Sequence, residues 1–178
     1  LGGGLPAGRL TELVSEVAGS GGQTVFAELL MTTRAARQRV ALIDGANGFA
    51  PESVPKDALR HLVWAQAASL QGTLAAADIL VRDGNYAAIV LDLRGLPERE
   101  LRRSPGTLWH RLHRAAERRP AAVLVQSAFA TVPAVLWRLA LKEPRGLKTR
   151  RLTRAAILGS LTVEMERGPA RVEAEASA

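Results

Sequence analysis

Apolar residues fall along this chain in short runs separated by polar, glycine-rich or proline-bearing breaks, and the runs alternate between two kinds. Leu10 to Val17 reads as a first strand, apolar with Thr11, Glu12, Ser15 and Glu16 interspersed. Arg39–Asp44 (RVALID), Ala87–Leu93 (AAIVLDL) and Ala121–Gln126 (AAVLVQ) are uninterrupted runs of strand length, which predicts strands buried on both faces. Between them the apolar positions take helical spacing. Thr24–Arg37 predicts a helix with Phe26, Leu29, Leu30 and Thr33 facing inward. A second helix starts at Ser69 or Leu70, runs to Arg82 and ends at the turn Asp83-Gly84-Asn85. Ser104-Pro105 offers a capping hydroxyl and a first-turn proline for a third helix, which carries Leu108, Leu112 and Ala115 on one face and is stopped by Pro120. Pro55 to Ala58 reads as a short helix, Leu62–Ala65 as a short strand, and Gly45–Pro55 and Arg94–Arg103 as loops.

After Gln126 the pattern changes. Val132–Leu141 reads as helical, and Leu147–Glu166 as a β-hairpin or small meander in which Leu161, Val163 and Met165 alternate with polar residues. The segment after Gly168 alternates Ala and Val with charge, as an edge strand does. Strands that alternate with helices predict an α/β fold: a mostly parallel sheet flanked by helices, with a carboxyl-terminal β-hairpin, in one domain over residues 1–178.

Composition narrows the function classes. Hydrophobic residues make up 47% of the chain, which argues against disorder, while aromatics are only 4%, so the core is expected from Leu, Val, Ile and Ala. There is no Cys, which excludes disulfides and Cys-ligated zinc. No apolar run has the length of a membrane-spanning helix, and the start lacks the charged and apolar regions of a signal peptide. No membrane contact and a cytoplasmic location are therefore expected, and the missing initial Met fits a trimmed chain or fragment. His61, His110 and His113 make no metal pattern, and no Ser/His/acid or paired-carboxylate arrangement stands out. Trp64, Trp109 and Trp137 are expected in packing rather than base stacking.

The first strand runs through a glycine-rich loop into a helix, the setting of a phosphate-binding loop. That chemistry needs small residues so that backbone N–H groups point at phosphate, a Lys for the terminal phosphates and a Ser or Thr for Mg²⁺. In Val17-Ala18-Gly19-Ser20-Gly21-Gly22-Gln23-Thr24, Gly22 and Thr24 fit, but Val17 stands where the first Gly belongs and the uncharged Gln23 where the Lys belongs.

Around this loop, Gly3-Gly4-Leu5-Pro6-Ala7-Gly8-Arg9-Leu10-Thr11-Glu12-Leu13 resembles the approach to the Walker A loop in RecA recombinases. Leu42-Ile43-Asp44 followed by Pro51 resembles the strand ending near the catalytic Glu, Ile89-Val90-Leu91-Asp92 the Walker B strand, and Leu124-Val125-Gln126 the strand ending in the nucleotide-sensing Gln. The match in order and approximate spacing covers residues 1–126. The chain departs from that family at Gln23, at Ala46 near the catalytic Glu position, and in a slightly longer stretch between Glu12 and Gly22. The RecA amino-terminal helix and large carboxyl-terminal domain have no counterpart, so RecA-type filaments are not expected.

A RecA-like core with a degraded Walker A loop, together with the segment Leu62–Leu93, resembles the ImuA family. The resemblance implies a partner role in damage-induced mutagenic translesion synthesis. The expected partners are an ImuB-like inactive Y-family polymerase and RecA, with a homo-oligomer left open. It implies a vestigial nucleotide site at Gly22, Gln23, Thr24, Asp92 and Gln126, no catalytic residues and no bound cofactor or metal. The alternatives are a SulA-like inhibitor of cell division and a divergent but active P-loop ATPase on DNA whose missing charge comes from another residue, such as Arg9, or from a neighbouring subunit.

The formal net charge is +7, almost all of the positive charge being Arg. One basic stretch holds Arg99, Arg102, Arg103, Arg111, Arg114, Arg118 and Arg119; another holds Arg138, Lys142, Arg145, Lys148, Arg150, Arg151 and Arg154. DNA contact is expected through Arg99, Arg102, Arg103, Lys148, Arg150 and Arg151, against the alternatives of an ordinary solvated Arg-rich surface and a face for an acidic protein.

Overall fold

A computed structural model of the chain describes residues 4–45, 47–133, 135–144, 146 and 152–168. Seven strands form one sheet: β1 (Leu10–Ser15), β2 (Val40–Asp44), β3 (Leu62–Gln66), β4 (Ala88–Asp92), β5 (Ala122–Ser127), β6 (Trp137–Leu141) and β7 (Val163–Arg167). Their spatial order is β3-β2-β4-β5-β1-β6-β7. Every neighbouring pair is parallel except β6 and β7, which run antiparallel. The helices are α1 (Gly22–Ala35), α2 (Leu70–Asp83), α3 (Glu98–Arg102), α4 (Gly106–Glu117) and α5 (Arg154–Gly159).

The uninterrupted apolar strands are buried because both sheet faces are covered. Successive strand side chains point to opposite faces, so Ala41, Ile43, Ile89, Leu91, Val123 and Val125 pack with α2, α4 and Leu101 of α3. Val40, Leu42, Ala88, Val90 and Leu124 pack instead with Phe26, Ala27 and Leu30 of α1 and with Phe49, Val54 and Ala58. Ser69 caps α2 by accepting a hydrogen bond from the Gly72 N–H at 3.1 Å, and the Glu100 carboxylate accepts from the Leu70 N–H at 2.6 Å. A carboxylate at this end also favours the helix dipole.

Several local expectations change. Arg94–Arg103 is not a plain loop: Leu96 and Leu101 are buried in the α2–α4 cluster, and their anchoring folds α3. Ser104 does not cap α4, whose first residue follows Pro105; its hydroxyl accepts from the buried Trp109 Nε1 at 3.0 Å. Residues 51–53 and 58–61 form short 3₁₀ turns in place of a helix from Pro55 to Ala58. Trp64 packs edge-on against Phe49 with ring centroids 5.3 Å apart.

The largest correction is Val132–Leu141, expected as helix. Trp137–Leu141 is strand β6, added beside β1 in register Glu12↔Arg138. A short apolar run is ambiguous by periodicity, and here an ion pair decides it, with Arg138 Nε donating to Glu12 Oε2 at 2.7 Å. The antiparallel partner of β6 is β7, with Lys142 Nζ 2.8 Å from Glu164 across the pair. Helix α5, started by the Thr153 hydroxyl, lies where the reading of 147–166 had only hairpin. The edge strand expected after Gly168 lies outside the described residues. No helix among the described residues is long and apolar enough to cross a membrane.

Candidate functional site

At the carboxyl ends of the parallel strands lies a cleft of about 710 Å³, bounded by Ser15–Thr24, Gly48, Asp92, Arg94, Gly95, Ala128, Gly146 and Ile157. Strand order creates it. β1 is followed in sequence by α1 and β2, yet in the sheet its neighbours are β5 and β6, while β4 lies on the far side of β5. The ends of β1, β5 and β4 therefore stand side by side, with Asp92 paired in register with Gln126 and Gln126 with Leu13. Ligands of open α/β sheets bind in such crevices.

The glycine-rich loop turns sharply into α1. Gly19 (φ 80°) and Gly21 (φ 114°) lie in the left-handed region that side chains resist. Gly21 is the residue before α1 and offers no side-chain cap, so the first N–H groups of the helix are left for other partners. Gly22 is needed for space: a Cβ there would stand 2.7 Å from an Arg94 guanidinium nitrogen and 2.9 Å from Ser15 Oγ. Ser15 Oγ and Ser20 Oγ are buried and have no hydrogen-bond partner among the described residues.

Of the expected site residues, Gly22, Gln23, Thr24 and Asp92 border this cleft, and Gln126 is buried beside it. The buried Gln126 donates from Nε2 to the Gly22 carbonyl at 3.1 Å, tying the end of β5 to the first turn of α1. Gln23 donates a long 3.4 Å contact to the Gly48 carbonyl. Thr24 is partly buried in the first turn of α1. Asp92 is engaged by Arg94: Oδ1 accepts from Arg94 Nε at 2.9 Å and from the Arg94 backbone N–H at 3.2 Å, and Oδ2 accepts from the guanidinium terminus. Asp44, on the next strand, accepts from the backbone N–H groups of Gly48 and Phe49 at 2.9 and 3.0 Å and so shapes the loop that closes this side. Ala46, near the position of the expected catalytic Glu, lies outside the described residues.

The sequence reading missed Arg94. It is the cation among the described residues bordering the cleft, and Glu16 and Asp92 border it with opposite charge. A trace of it was visible, since residues two apart on an extended chain share a side and Asp92-Leu93-Arg94 places acid and base that way. Arg9, named as a possible substitute charge, is excluded by position: it precedes β1, at the opposite end of the strand from the cleft, and pairs with Glu117. No group of three or more His, Asp or Glu among the described residues could hold a metal ion.

The basic residues divide. Arg102 is ion-paired with Glu98 at 2.6 Å and lies over the Phe129 ring, 4.5 Å from its centroid. Arg99 and Arg103 border a hollow between α3 and the start of α4. Arg138 and Lys142 are committed to Glu12 and Glu164. Lys148, Arg150 and Arg151, with Arg145, lie outside the described residues. No protein-family model matches the chain, and no curated protein matches it significantly.

Proposed function

We propose that this chain is a catalytically inactive, RecA-like P-loop adaptor of the ImuA type. It connects an ImuB-like inactive Y-family polymerase, and RecA, in damage-induced mutagenic DNA synthesis. The observation that carries the inactive half of the reading is the Asp92–Arg94 pair. Phosphoryl transfer needs cations free to meet developing charge and an acid free to organise metal or water. Here the cleft's described cation and the acid at the end of β4 neutralise each other, and the position expected for Lys carries Gln23. The adjacency of β1, β4 and β5 around a glycine-rich turn supports the P-loop-like half; the partner assignment rests on the sequence resemblance. Phosphate release from ATP should be absent with and without DNA, and affinity purification from DNA-damaged cells should recover the polymerase relative. Turnover abolished by Thr24→Ala would overturn the inactive assignment, and recovery of the division GTPase in place of polymerase components would favour the SulA-like alternative.

A second reading, binding of a phosphate-bearing nucleotide, is favoured by the Ser15 and Ser20 hydroxyls and by the Arg94 guanidinium against Gly22. Phosphate would have to compete with Asp92 for Arg94. Calorimetric titration with ATP separates the readings, since this one requires heat of binding that Arg94→Ala removes.

A further inference from the structure

Away from the cleft, on the sheet face covered by α2 and α4, a groove of about 800 Å³ runs between these two helices. Five arginines border it: Arg82 from α2, Arg111 and Arg114 from α4, and Arg118 and Arg119 just past its end. All five are exposed. Asp78, largely buried on α2, offsets one of these charges; its Oδ2 accepts from Arg82 Nε at 3.0 Å and from Arg111 at 2.6 Å, which pins the two walls of the groove together. Arg114, Arg118 and Arg119 have no carboxylate within 4.0 Å among the described residues. Exposed arginines gathered in this way raise the positive potential over the groove and attract anions to it.

We infer that this groove binds the phosphodiester backbone of a nucleic acid. Arg111 and Arg114 lie on one face of α4, and Arg118, the residue that ends the helix, continues the same spacing. At 1.5 Å per residue they span about 10 Å, the axial rise of about three phosphates of one duplex strand. Every cation is Arg, whose fork can donate two hydrogen bonds to one phosphate. The other bordering residues are Thr107, His110 and the buried Ala115. An amphipathic peptide or a membrane would need apolar anchors that this groove lacks, and competition by polyglutamate tests for an acidic peptide. With no Phe, Tyr or Trp at its border, the groove is built for phosphate contacts, which carry no sequence information, so binding is sequence-independent. The inference stands on the groove and not on the adaptor reading, and it uses Arg82, Arg111, Arg114, Arg118 and Arg119 in place of Arg99, Arg102 and Arg103.

Fluorescence anisotropy of a labelled oligothymidylate and of a mixed-sequence duplex, each over a range of salt, tests it on the full chain. Arg114→Gln with Arg118→Gln should weaken binding at least about tenfold and make the salt slope for the single strand shallower by about 1.4, from two lost phosphate contacts. Lys56→Gln with Arg60→Gln, on the opposite sheet face, should leave both unchanged, and circular dichroism should show both variants folded. Three results would overturn the inference: no binding by the unmodified chain, equal binding by the groove variant, or competition by polyglutamate as effective as that by unlabelled oligonucleotide. Tighter capture by phosphatidylserine vesicles than by either oligonucleotide would overturn it as well. None of these readouts involves a polymerase partner, so they succeed or fail apart from the proposed function.

Discussion

Replacing Glu12 with Ala removes a carboxylate on which three segments converge. The side chain is fully buried on β1. Its Oε1 accepts from Ser127 Oγ at 3.0 Å, from the Thr131 N–H at 2.7 Å and from the Val132 N–H at 3.0 Å, and its Oε2 accepts from Arg138 Nε. Arg138 in turn donates to the Val132 carbonyl at 2.7 Å. One acid thus holds the β5–β6 connection and β6 itself against β1. Without it, a guanidinium that is 18% exposed loses its counter-ion, and the N–H of buried Val132 loses its acceptor. Breaking a buried pair from one side costs about 3–5 kcal/mol. That is a large part of the roughly 5–15 kcal/mol that holds a typical domain together. At about 2–4 °C per kcal/mol for a chain of this size, the melting temperature should fall by about 6–20 °C. Urea unfolding followed by circular dichroism measures the loss directly. A double variant, Glu12→Leu with Arg138→Met, should be more stable than Glu12→Ala, because two matched apolar groups leave no orphaned charge. A loss under about 1 kcal/mol for Glu12→Ala, within the range of surface substitutions and modest hydrogen bonds, would refute the account.

Gly22→Ala should destabilise the chain by up to about 2 kcal/mol, overpacking against Arg94 and Ser15 outweighing the helix preference for Ala; in an Arg94→Ala background the penalty should shrink, which a double-mutant cycle in urea reads out. The Asp78 carboxyl is held below its ordinary range, first by the hydrogen bond from Arg111 and then, against the opposing effect of desolvation, by Arg82. A depressed folded-state value means that its stabilisation is complete above the unfolded value of about 3.9 and is lost as pH falls through the lower folded value. The stability gap between the unmodified chain and Asp78→Asn should therefore be flat near neutrality and narrow below about pH 4, as followed by urea titrations at each pH. Ser69→Ala should cost about 1 kcal/mol through the lost cap of α2, measured by thermal melting.

The pattern of residues along the chain determined the α/β class, the positions of β1 to β5 and the extents of α1, α2 and most of α4, because burial on both faces of a sheet leaves uninterrupted apolar runs and amphipathic helices leave a regular stripe. It also determined the glycine-rich turn and the absence of a Lys within it. What the chain could not reveal is whatever depends on which strands become neighbours. Trp137–Leu141 is a strand because Glu12, 126 positions earlier, draws Arg138 alongside β1. Residues 94–103 form a helix because Leu96 and Leu101 find a place between α2 and α4. The Asp92–Arg94 pair itself is local, but Arg94 faces the first turn of α1 because the ends of β4 and β1 come together on either side of β5. Sequence clustering already grouped Arg111, Arg114, Arg118 and Arg119, but Arg82 joins them only because α2 and α4 pack on the same sheet face. Local spacing encodes periodicity and local burial, whereas ion pairs and charge clusters between distant elements exist only after the strand order has closed the loops that separate them.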